Sequence, residues 1–145
     1  MIKLTKIFHF EMAHALFGYQ GACRNIHGHS YELHVSVTSG KVGDEYIPAD
    51  GIIFDFKELK RIVCTTIIDK FDHRLVLSGN YIEKNPPVPF MDNIFILDAE
   101  PTAENLLIFM KKNISAALPA GIKLAGLKLY ETKDSYAEWS NYNIY

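Results

Sequence analysis

The sequence predicts a single α+β domain, spanning residues 1–145, that is built on an antiparallel sheet. A chain of 145 residues has the length of one ordinary domain. Its hydrophobic fraction of 48% and its charged fraction of 22% are those of a globular protein. Its periodic segments follow the order strand, strand, helix, irregular segment, helix, strand, strand. That order is typical of α+β proteins, in which strands and helices are segregated along the chain.

Two strands begin the predicted order. Residues Lys3 to His14 are rich in Ile, Phe and Thr and alternate loosely, and residues His27 to Ser39 alternate clearly between apolar and polar at their end. A glycine-containing loop, Phe17 to Asn25, joins the two strands. A polar segment with several glycines, Gly40 to Gly51, follows and predicts a second loop.

Capping residues mark the starts of two helices. Asp55, with Glu58 three positions later, precedes apolar residues at helical spacing and predicts a helix from about Phe56 to Ile68. Thr102 is the predicted cap of a second helix, which the proline at position 119 ends. Both caps are side-chain oxygens that can accept hydrogen bonds from otherwise unpaired amides of a first helical turn.

The segment from Asp72 to Asp98 is the least regular part of the sequence, because prolines at 86, 87 and 89 oppose regular strand pairing. A short strand, Ile94 to Leu97, is predicted near its end. Two more strands, Leu124 to Thr132 and Ala137 to Tyr145, are joined by a short polar turn at 133–135 and complete the predicted sheet.

Charge and composition exclude several classes of protein. Lys plus Arg total 15 against 17 for Asp plus Glu, so no nucleic acid or anionic membrane is expected as a partner. No apolar run approaches the roughly 18–20 residues of a membrane span, and the N-terminal residues lack the layout of a signal peptide. Two cysteines are too few for a disulfide framework, which predicts a cytoplasmic protein.

Five of the six histidines lie within the first 34 residues. His27 and His29 share one face of a strand, because residues two apart point to the same side. His14, at the end of the preceding strand, can lie beside them after a hairpin-like return. Three histidines with an open fourth position form the usual catalytic Zn²⁺ site. The alternative is ordinary surface or hydrogen-bonded histidines, and spacing alone does not decide between the two interpretations.

The remaining histidines of this region and the two cysteines have less specific patterns. His9 and His34 have the opposite parity and are predicted to face away from the ion. Cys23, in the glycine-containing loop, could be a fourth zinc ligand, a small buried residue or a reactive thiol with a lowered pKa. Cys64 falls on the apolar side of the first predicted helix, so burial in the core is expected.

Six short motifs occur in an order that resembles the 6-pyruvoyl-tetrahydropterin synthase / 6-carboxytetrahydropterin synthase family. The resemblance covers almost the whole chain, and the combination of Cys-x₃-His-Gly-His with a later Asp-His pair is specific. The motifs are Phe10 to His14, Cys23 to His29, Phe54 to Phe56, Asp72 with His73, Pro101 to Asn105, and Tyr130 to Thr132. The resemblance strengthens the zinc interpretation and implies that no organic cofactor is needed.

The resemblance implies a role for each site residue. The zinc ligands that it implies are His14, His27 and His29. The implied base is Cys23, and the implied proton-transfer pair is Asp72 with His73. The implied residues of the pterin pocket are Glu131, Thr102 and Glu104. Glu131 would anchor the pterin, since a carboxylate accepts two parallel N–H bonds. Ordinary roles also exist, because Asp72 and His73 could be a simple polar pair and Glu131 a solvated strand residue. Helix capping alone explains Asp55, and it explains Thr102 better than catalysis does.

The implied substrate is 7,8-dihydroneopterin triphosphate, from which zinc and the Cys23 thiolate would promote proton abstraction and triphosphate elimination. In the carboxy branch of the family the side chain also fragments and releases acetaldehyde. The sequence favours that branch, whose product is a precursor of 7-deazaguanine nucleosides such as queuosine, over the pyruvoyl branch. Another zinc lyase or hydratase, and a non-catalytic pterin- or metal-binding protein, are the competing hypotheses.

The family resemblance also implies a particular fold and assembly. The implied fold is the tunnelling fold, or T-fold: a four-stranded antiparallel sheet with two helices on one face, which closes into a barrel on oligomerisation. Barrel closure removes exposed sheet edges. A homohexamer built from two trimers, with active sites between subunits, is the expected assembly. The segment Leu75 to Asp98, longer and richer in proline than in compact bacterial relatives, is expected to extend a pocket wall or an oligomer contact.

Overall fold

Six strands form one sheet, in the spatial order β4-β3-β1-β2-β5-β6. Their bounds are β1 Leu4–His14, β2 His27–Thr38, β3 Arg74–Ser78, β4 Ile94–Leu97, β5 Lys123–Thr132 and β6 Ser135–Ser140. The computed structural model describes residues 1–40, 43–48, 50–87, 89 and 91–144. Positions 41, 42 and 49 of the predicted Gly40 to Gly51 loop, and positions 88 and 90 of the Leu75 to Asp98 segment, therefore lie outside the described residues.

The four strands predicted at the two ends of the sequence form the antiparallel part of the sheet. β1 pairs with β2 along its whole length, β2 pairs with β5 across one register shift, and β5 pairs with β6. This arrangement confirms the predicted α+β fold. β6 begins two residues earlier than predicted. It also ends earlier than predicted, because a 3₁₀ turn, Tyr142–Ile144, follows it. Tyr145, the predicted last residue of this strand, lies outside the described residues.

The sheet is wider than the predicted four antiparallel strands. β3 lies parallel to β1, and β4 lies parallel to β3. The prolines at 86, 87 and 89 lie in the connection between β3 and β4, so they do not interrupt the pairing of either strand. Leu75, Val76 and Leu77 are all buried, as is typical of a parallel strand covered on both faces. The short strand predicted at Ile94 to Leu97 is confirmed as β4.

The two helices that the sequence predicts begin where expected, and a short helix that it does not predict lies in the Asp72 to Asp98 segment. The helices are α1 Phe56–Val63, α2 Asp69–Phe71, α3 Gly79–Lys84 and α4 Ala103–Ala117, and a π-helical turn, Cys64–Ile68, joins α1 to α2 without a break. The Asp55 carboxylate accepts a hydrogen bond from the Lys57 amide at 2.7 Å, and the Thr102 hydroxyl accepts one from the Asn105 amide at 3.2 Å. Both predicted N-caps are therefore confirmed. None of the helices that the structure describes is long and apolar enough to cross a membrane.

One face of the sheet packs on α1 and α4 and forms the core. The alternation along β1 and β2 gives each strand one row of buried side chains, and the long helices supply the opposing layer. Buried members of this core include Phe8, Phe10, Met12, Tyr31, Leu33, Val35, Leu59, Val63, Ile67, Leu106, Met110 and Ile114. Cys64 packs against this core while remaining partly exposed, as its predicted position on the apolar side of the helix requires.

The opposite face of the antiparallel strands is polar. Thr5 and Ser36 hydroxyls are 2.7 Å apart across β1 and β2, and the Glu32 carboxylate accepts a hydrogen bond from His34 at 2.6 Å. His9 lies on the same face, 3.8 Å from Glu32. His9 and His34 therefore point away from the core-facing histidines, as their parity predicts. The T-fold predicted from the resemblance has this two-faced antiparallel sheet, with the two long helices α1 and α4 on one face. The short helix α3 packs through Tyr81 and Ile82 against Leu75 and Leu77 on the opposite face of β3.

Candidate metal centre and active site

The three core-facing histidines come together at one end of the sheet. β1 ends at His14 and β2 begins at His27, and these two residues are direct cross-strand partners. His29 lies two residues farther along β2, opposite Met12 and on the same face. One ligand nitrogen from each of the three imidazoles lies within 4.8 Å of the others. The tight antiparallel register of β1 and β2 is thus what assembles the cluster.

Main-chain carbonyls fix the tautomers of two of these histidines. His14 Nδ1 lies 2.8 Å from the Pro101 carbonyl oxygen, and His27 Nδ1 lies 2.7 Å from the Asn25 carbonyl oxygen. Because a carbonyl oxygen only accepts, each Nδ1 carries the proton and each Nε2 carries a lone pair. The two Nε2 atoms are only 3.0 Å apart. Two lone pairs at this distance repel unless a cation lies beside both. Histidines that bind a metal usually donate their other ring N–H to a carbonyl or carboxylate oxygen, as these two do.

The third imidazole has an unsatisfied buried nitrogen. His29 Nε2 is buried without a hydrogen-bond partner among the described residues, and the nearest carboxylate oxygen, Oε1 of Glu131, is 3.6 Å away. Buried polar atoms in folded proteins are almost always paired, so an orphan nitrogen pointing into the cluster indicates a missing ligand. The donor set of three imidazoles fits Zn²⁺ with an open coordination position.

Burial keeps these ligands in the metal-binding protonation state. Desolvation is the largest influence on His14 and lowers its pKa, although the Pro101 carbonyl and the Glu131 carboxylate act in the opposite direction. Desolvation likewise lowers the pKa of His29 against the opposing influence of Glu131. Both imidazoles are therefore neutral at pH 7, which is the form that coordinates a metal.

A cavity of about 340 Å³ adjoins the cluster and contains most of the predicted site residues. His14, Cys23, Thr102, Glu104 and Glu131 all line it. The structure thus brings the predicted base and the three predicted pocket residues beside one metal-ligand candidate. Glu131 lies near the end of β5, antiparallel to β2, and its Oε2 atom is 4.0 Å from His14 Nε2. A molecule held by Glu131 would therefore lie next to the histidine cluster.

The Cys23 thiol is presented by a short loop. The residue occupies a 3₁₀ turn, Ala22–Arg24, and the Leu16 amide donates to its carbonyl at 2.9 Å, which closes the loop at its base. Cys23 is a free, half-buried cysteine. It lies close enough to the buried Tyr31 hydroxyl to contribute, after burial itself and Glu131, to the raised pKa of that phenol.

Asp72 and His73 lie elsewhere on the single chain. His73 lines a second cavity of about 360 Å³, together with His29, Gly28 and Glu11, whereas Cys23 lines the first cavity. The Asp72 carboxylate accepts from the Glu11 amide at 2.9 Å and lies 3.0 Å from His73 Nδ1. The two side chains therefore form a polar pair.

The backbone of the Asp72–His73 pair is strained and firmly held. His73 has a φ of 59°, an uncommon conformation for a residue other than glycine. Its amide donates to the Glu11 carbonyl at 2.7 Å, and the Asn93 side-chain amide donates to its carbonyl at 3.1 Å. Such strain persists only where the surroundings compensate for it, and it is concentrated at functional sites.

Several contributors to the site carry no recognisable sequence signal. The carbonyl groups of Asn25 and Pro101 fix the histidine tautomers, but every residue has a carbonyl group. The Tyr31 hydroxyl lies 3.4 Å from His14 Nδ1 in the core. Tyr31 is an ordinary apolar-face residue of β2 in the sequence pattern, so only the fold reveals its contact with the site.

An α+β sheet with three convergent imidazoles beside a cavity forms a candidate metal centre, and sequence comparison identifies the family of the chain. The profile of the 6-pyruvoyl tetrahydropterin synthase family matches residues 3–141. The chain belongs to this family. A 6-carboxy-5,6,7,8-tetrahydropterin synthase of Rickettsia felis is 31% identical, covering 95% of this chain and 99% of its own. A 6-carboxy-5,6,7,8-tetrahydropterin synthase of Haemophilus influenzae is 29% identical, and the match covers 96% of this chain and 99% of that protein.

Relatives from the other branch and solved structures complete the comparison. A 6-pyruvoyl tetrahydrobiopterin synthase of Pongo abelii is 30% identical, covering 79% of this chain and 68% of its own. The structure of Caenorhabditis elegans 6-pyruvoyl tetrahydropterin synthase superposes with a TM-score of 0.69 at 22% identity, covering 97% and 95% of the two chains. An uncharacterised protein of Wolinella succinogenes superposes with a TM-score of 0.73 at 17% identity, covering 97% and 98%. These structures establish the shared T-fold.

Proposed function

We propose that the protein is a zinc-dependent 6-carboxy-5,6,7,8-tetrahydropterin synthase, a lyase. It converts 7,8-dihydroneopterin triphosphate and one water molecule to 6-carboxytetrahydropterin, acetaldehyde and triphosphate, in the cytoplasm, on the route to queuosine and other 7-deazaguanine nucleosides. The observation that carries the proposal is the cluster of His14, His27 and His29 beside a cavity that also contains Cys23 and Glu131. The names of the bacterial relatives support the carboxy product.

The proposed division of labour follows from the side chains around that cavity. His14, His27 and His29 would hold Zn²⁺, and the bound ion would supply Lewis-acid polarisation of the C–O bonds of the substrate side chain. Glu131 accepts two N–H bonds from the pterin ring and places the side chain of the substrate next to the cluster. Thr102 and Glu104 border the ring pocket from the first turn of α4.

Proton transfer is proposed to use two separate groups. The Cys23 thiolate removes a proton from the substrate side chain, and His73 shuttles a proton with Asp72 orienting its imidazole. Because Cys23 and His73 line different cavities of one chain, His73 of a neighbouring subunit is proposed to complete each site. A homohexamer of two trimers provides the required contacts between subunits.

A product assay tests this proposal. Zinc-loaded protein is incubated with 7,8-dihydroneopterin triphosphate, and the products are identified by mass spectrometry; acetaldehyde and a carboxypterin are expected. The matched variants are C23A and C64A, since Cys64 packs against the core and does not line the cavity. C23A should retain zinc and lose roughly 10²- to 10⁴-fold in turnover, the usual contribution of a general base. C64A should keep turnover close to that of the wild type.

Other outcomes separate the competing functions. A pyruvoyl product would favour 6-pyruvoyl-tetrahydropterin synthase, the alternative that the Pongo abelii relative supports. Unchanged turnover in C23A would favour another zinc lyase or hydratase that uses a metal-bound hydroxide. Tight pterin or metal binding without any product would indicate a non-catalytic binding protein.

A further inference from the structure

The three residues before α4 contact different parts of the proposed active site. The Pro101 carbonyl accepts from the His14 imidazole, and the Thr102 hydroxyl caps α4. The Glu100 carbonyl accepts from the Thr102 amide at 2.8 Å and from the Asn105 side chain at 2.9 Å. The backbone of Glu100 is therefore anchored to the first turn of α4, the same turn that borders the cavity.

The side chain of Glu100 reaches from this anchor to the base of the loop that carries Cys23. Its Oε1 atom accepts a hydrogen bond from the Phe17 amide at 2.6 Å. Phe17 directly follows Leu16, whose own amide donates to the Cys23 carbonyl at 2.9 Å. Two adjacent amides, at 16 and 17, thus fix the base of the loop that carries Cys23, one through the loop itself and one through Glu100. A hydrogen bond to an ionised carboxylate is roughly twice as strong as a neutral one.

The loop is hydrogen-bonded at its base and within the 3₁₀ turn, and the segment between these two parts contains two glycines. Gly18, which follows Phe17, has a φ of 77°, a conformation that glycine adopts at little cost. Gly21 immediately precedes the 3₁₀ turn that contains Cys23. Two glycines give this segment many accessible conformations when it is free. The hydrogen bond from Phe17 to Glu100 therefore adds a second fixed point to the one that the Cys23 carbonyl provides.

We propose that Glu100 is a positioning residue for Cys23. It holds the loop that carries the thiol at a fixed position relative to the histidine cluster and the first turn of α4. This inference rests on the proposed function, because it concerns the base that the reaction uses. Glu100 acts through the Phe17 amide and does not touch the reacting atoms. Misplacing a reacting group by about 1 Å can cost roughly 10²-fold in rate, so losing this tether lowers kcat more than it changes KM.

Three variants test the proposal. E100A removes the acceptor, E100Q keeps an oxygen that can accept from Phe17, and D98A removes an exposed carboxylate two residues away as the matched control. Relative to the wild type, E100A is expected to lose roughly 10-fold or more in kcat, with KM and zinc content within about 2-fold. E100Q should recover most of the lost kcat, and D98A should behave as the wild type. Equal kcat in E100A and D98A would overturn the proposal.

A second readout does not require turnover. Alkylation of Cys23 by iodoacetamide, followed by mass spectrometry with Cys64 of the same chain as the internal reference, should be several-fold faster in E100A because the freed loop exposes the thiol more often. If the wild type forms no product from the pterin substrate, the proposed function fails, and the alkylation rate alone decides on the tether. An unchanged rate in E100A would then overturn it.

Hydrogen exchange measured on the wild type tests the same hydrogen bond without requiring that any variant folds. The Phe17 amide hydrogen is expected to exchange more slowly than the neighbouring Gly18 and Tyr19 amides, because it is hydrogen-bonded to Glu100. Exchange of Phe17 as fast as that of Gly18 and Tyr19 would show that the bond does not persist in solution and would overturn the proposal.

Discussion

The imidazoles of His14 and His27 are oriented by main-chain carbonyl groups, which cannot be removed by mutation of a side chain. The carbonyl of Pro101 belongs to the segment before α4, and that of Asn25 belongs to the loop before β2. Each Nδ1–H is therefore fixed by the fold itself, and each Nε2 faces the cluster as a lone-pair donor. Metal affinity at the proposed site would therefore depend on the path of the backbone as much as on the identity of its side chains.

Removal of single imidazoles should abolish metal binding. H27A and H29A are expected to lose zinc by at least about 10²-fold in affinity, because two nitrogen ligands cannot complete the site. H34A is the matched control, since this histidine belongs to the same strand but points to the opposite face. Metal content by mass spectrometry after dialysis against a chelator measures the effect. Full zinc retention in both H27A and H29A would contradict the ligand assignment.

The residues of this site differed in how well the sequence predicted them. His27 and His29 were accessible from strand parity, and Cys23, Glu131 and the Asp72–His73 pair were accessible only through a family motif. A glutamate in a strand end has many ordinary roles, so no local pattern distinguishes Glu131 from a solvated residue. The tether from Glu100 to Phe17 joins positions 83 residues apart, and such long-range contacts have no local signature.

Among the secondary structure elements, the continuous helical segment from α1 to α2 leads directly to the Asp72–His73 pair. Asp55 begins this segment, and the π-helical turn, Cys64–Ile68, lies in its middle. The Asp72 amide still donates to the Ile68 carbonyl at 2.8 Å, so the pair begins at the last hydrogen bond of the segment. The direction in which Asp72 and His73 leave the helix is therefore set by this segment and by the Glu11 backbone.

Loss of the Asp55 cap should destabilise the fold without changing the chemistry. D55A leaves the Lys57 amide without its acceptor and is expected to reduce the free energy of unfolding by about 1 kcal/mol, within the usual range for an N-cap. D55N is the matched control, because asparagine caps almost as well as aspartate. Urea unfolding followed by circular dichroism measures the difference. Equal stability of D55A and D55N would show that this cap contributes nothing to the fold.

The elements that sequence patterns predicted well are those with strong caps or strict alternation. The start of α1 at Phe56 and the start of α4 at Ala103 follow from their caps, and β2 follows from its alternation. β3 was missed because a continuous buried run of a few residues has no period, and the nearby prolines suggested an irregular segment. The π-helical turn also has no distinctive composition, since it is a local widening of an otherwise regular helix.

For the whole molecule, the outer strands leave unpaired backbone groups. β4 and β6 are the edges of the sheet in the described part of the chain, and the polar face of the antiparallel strands has no covering layer of helices. Exposed edges invite pairing with another chain, and closure into a barrel between subunits removes them. The fold is thus suited to the proposed oligomer, in which Cys23 and His73 meet across an interface.

Mixing inactive subunits tests this assembly. C23A and H73A homo-oligomers should each be nearly inactive, whereas mixed oligomers formed after dissociation and reassociation should recover activity at sites that combine an intact Cys23 with an intact His73. Random mixing restores about a quarter of the sites, because each of two independent contributions is intact in half of the cases. Native mass spectrometry should show about six times the 16.5 kDa subunit mass. A monomeric protein, or mixtures without recovered activity, would contradict the shared-site proposal.

The all-nitrogen donor set of the histidine cluster has a consequence for which metal ion the proposed site would bind. Three neutral imidazoles give Zn²⁺ no advantage over Cu²⁺, which binds nitrogen ligands more tightly in the Irving–Williams order, and little advantage over Ni²⁺ or Co²⁺. Thermodynamic preference at this cluster therefore does not select the physiological ion. The free concentrations of the metal ions in the cell would then determine which ion binds. Protein produced in media enriched in another transition metal is therefore expected to carry that metal after purification.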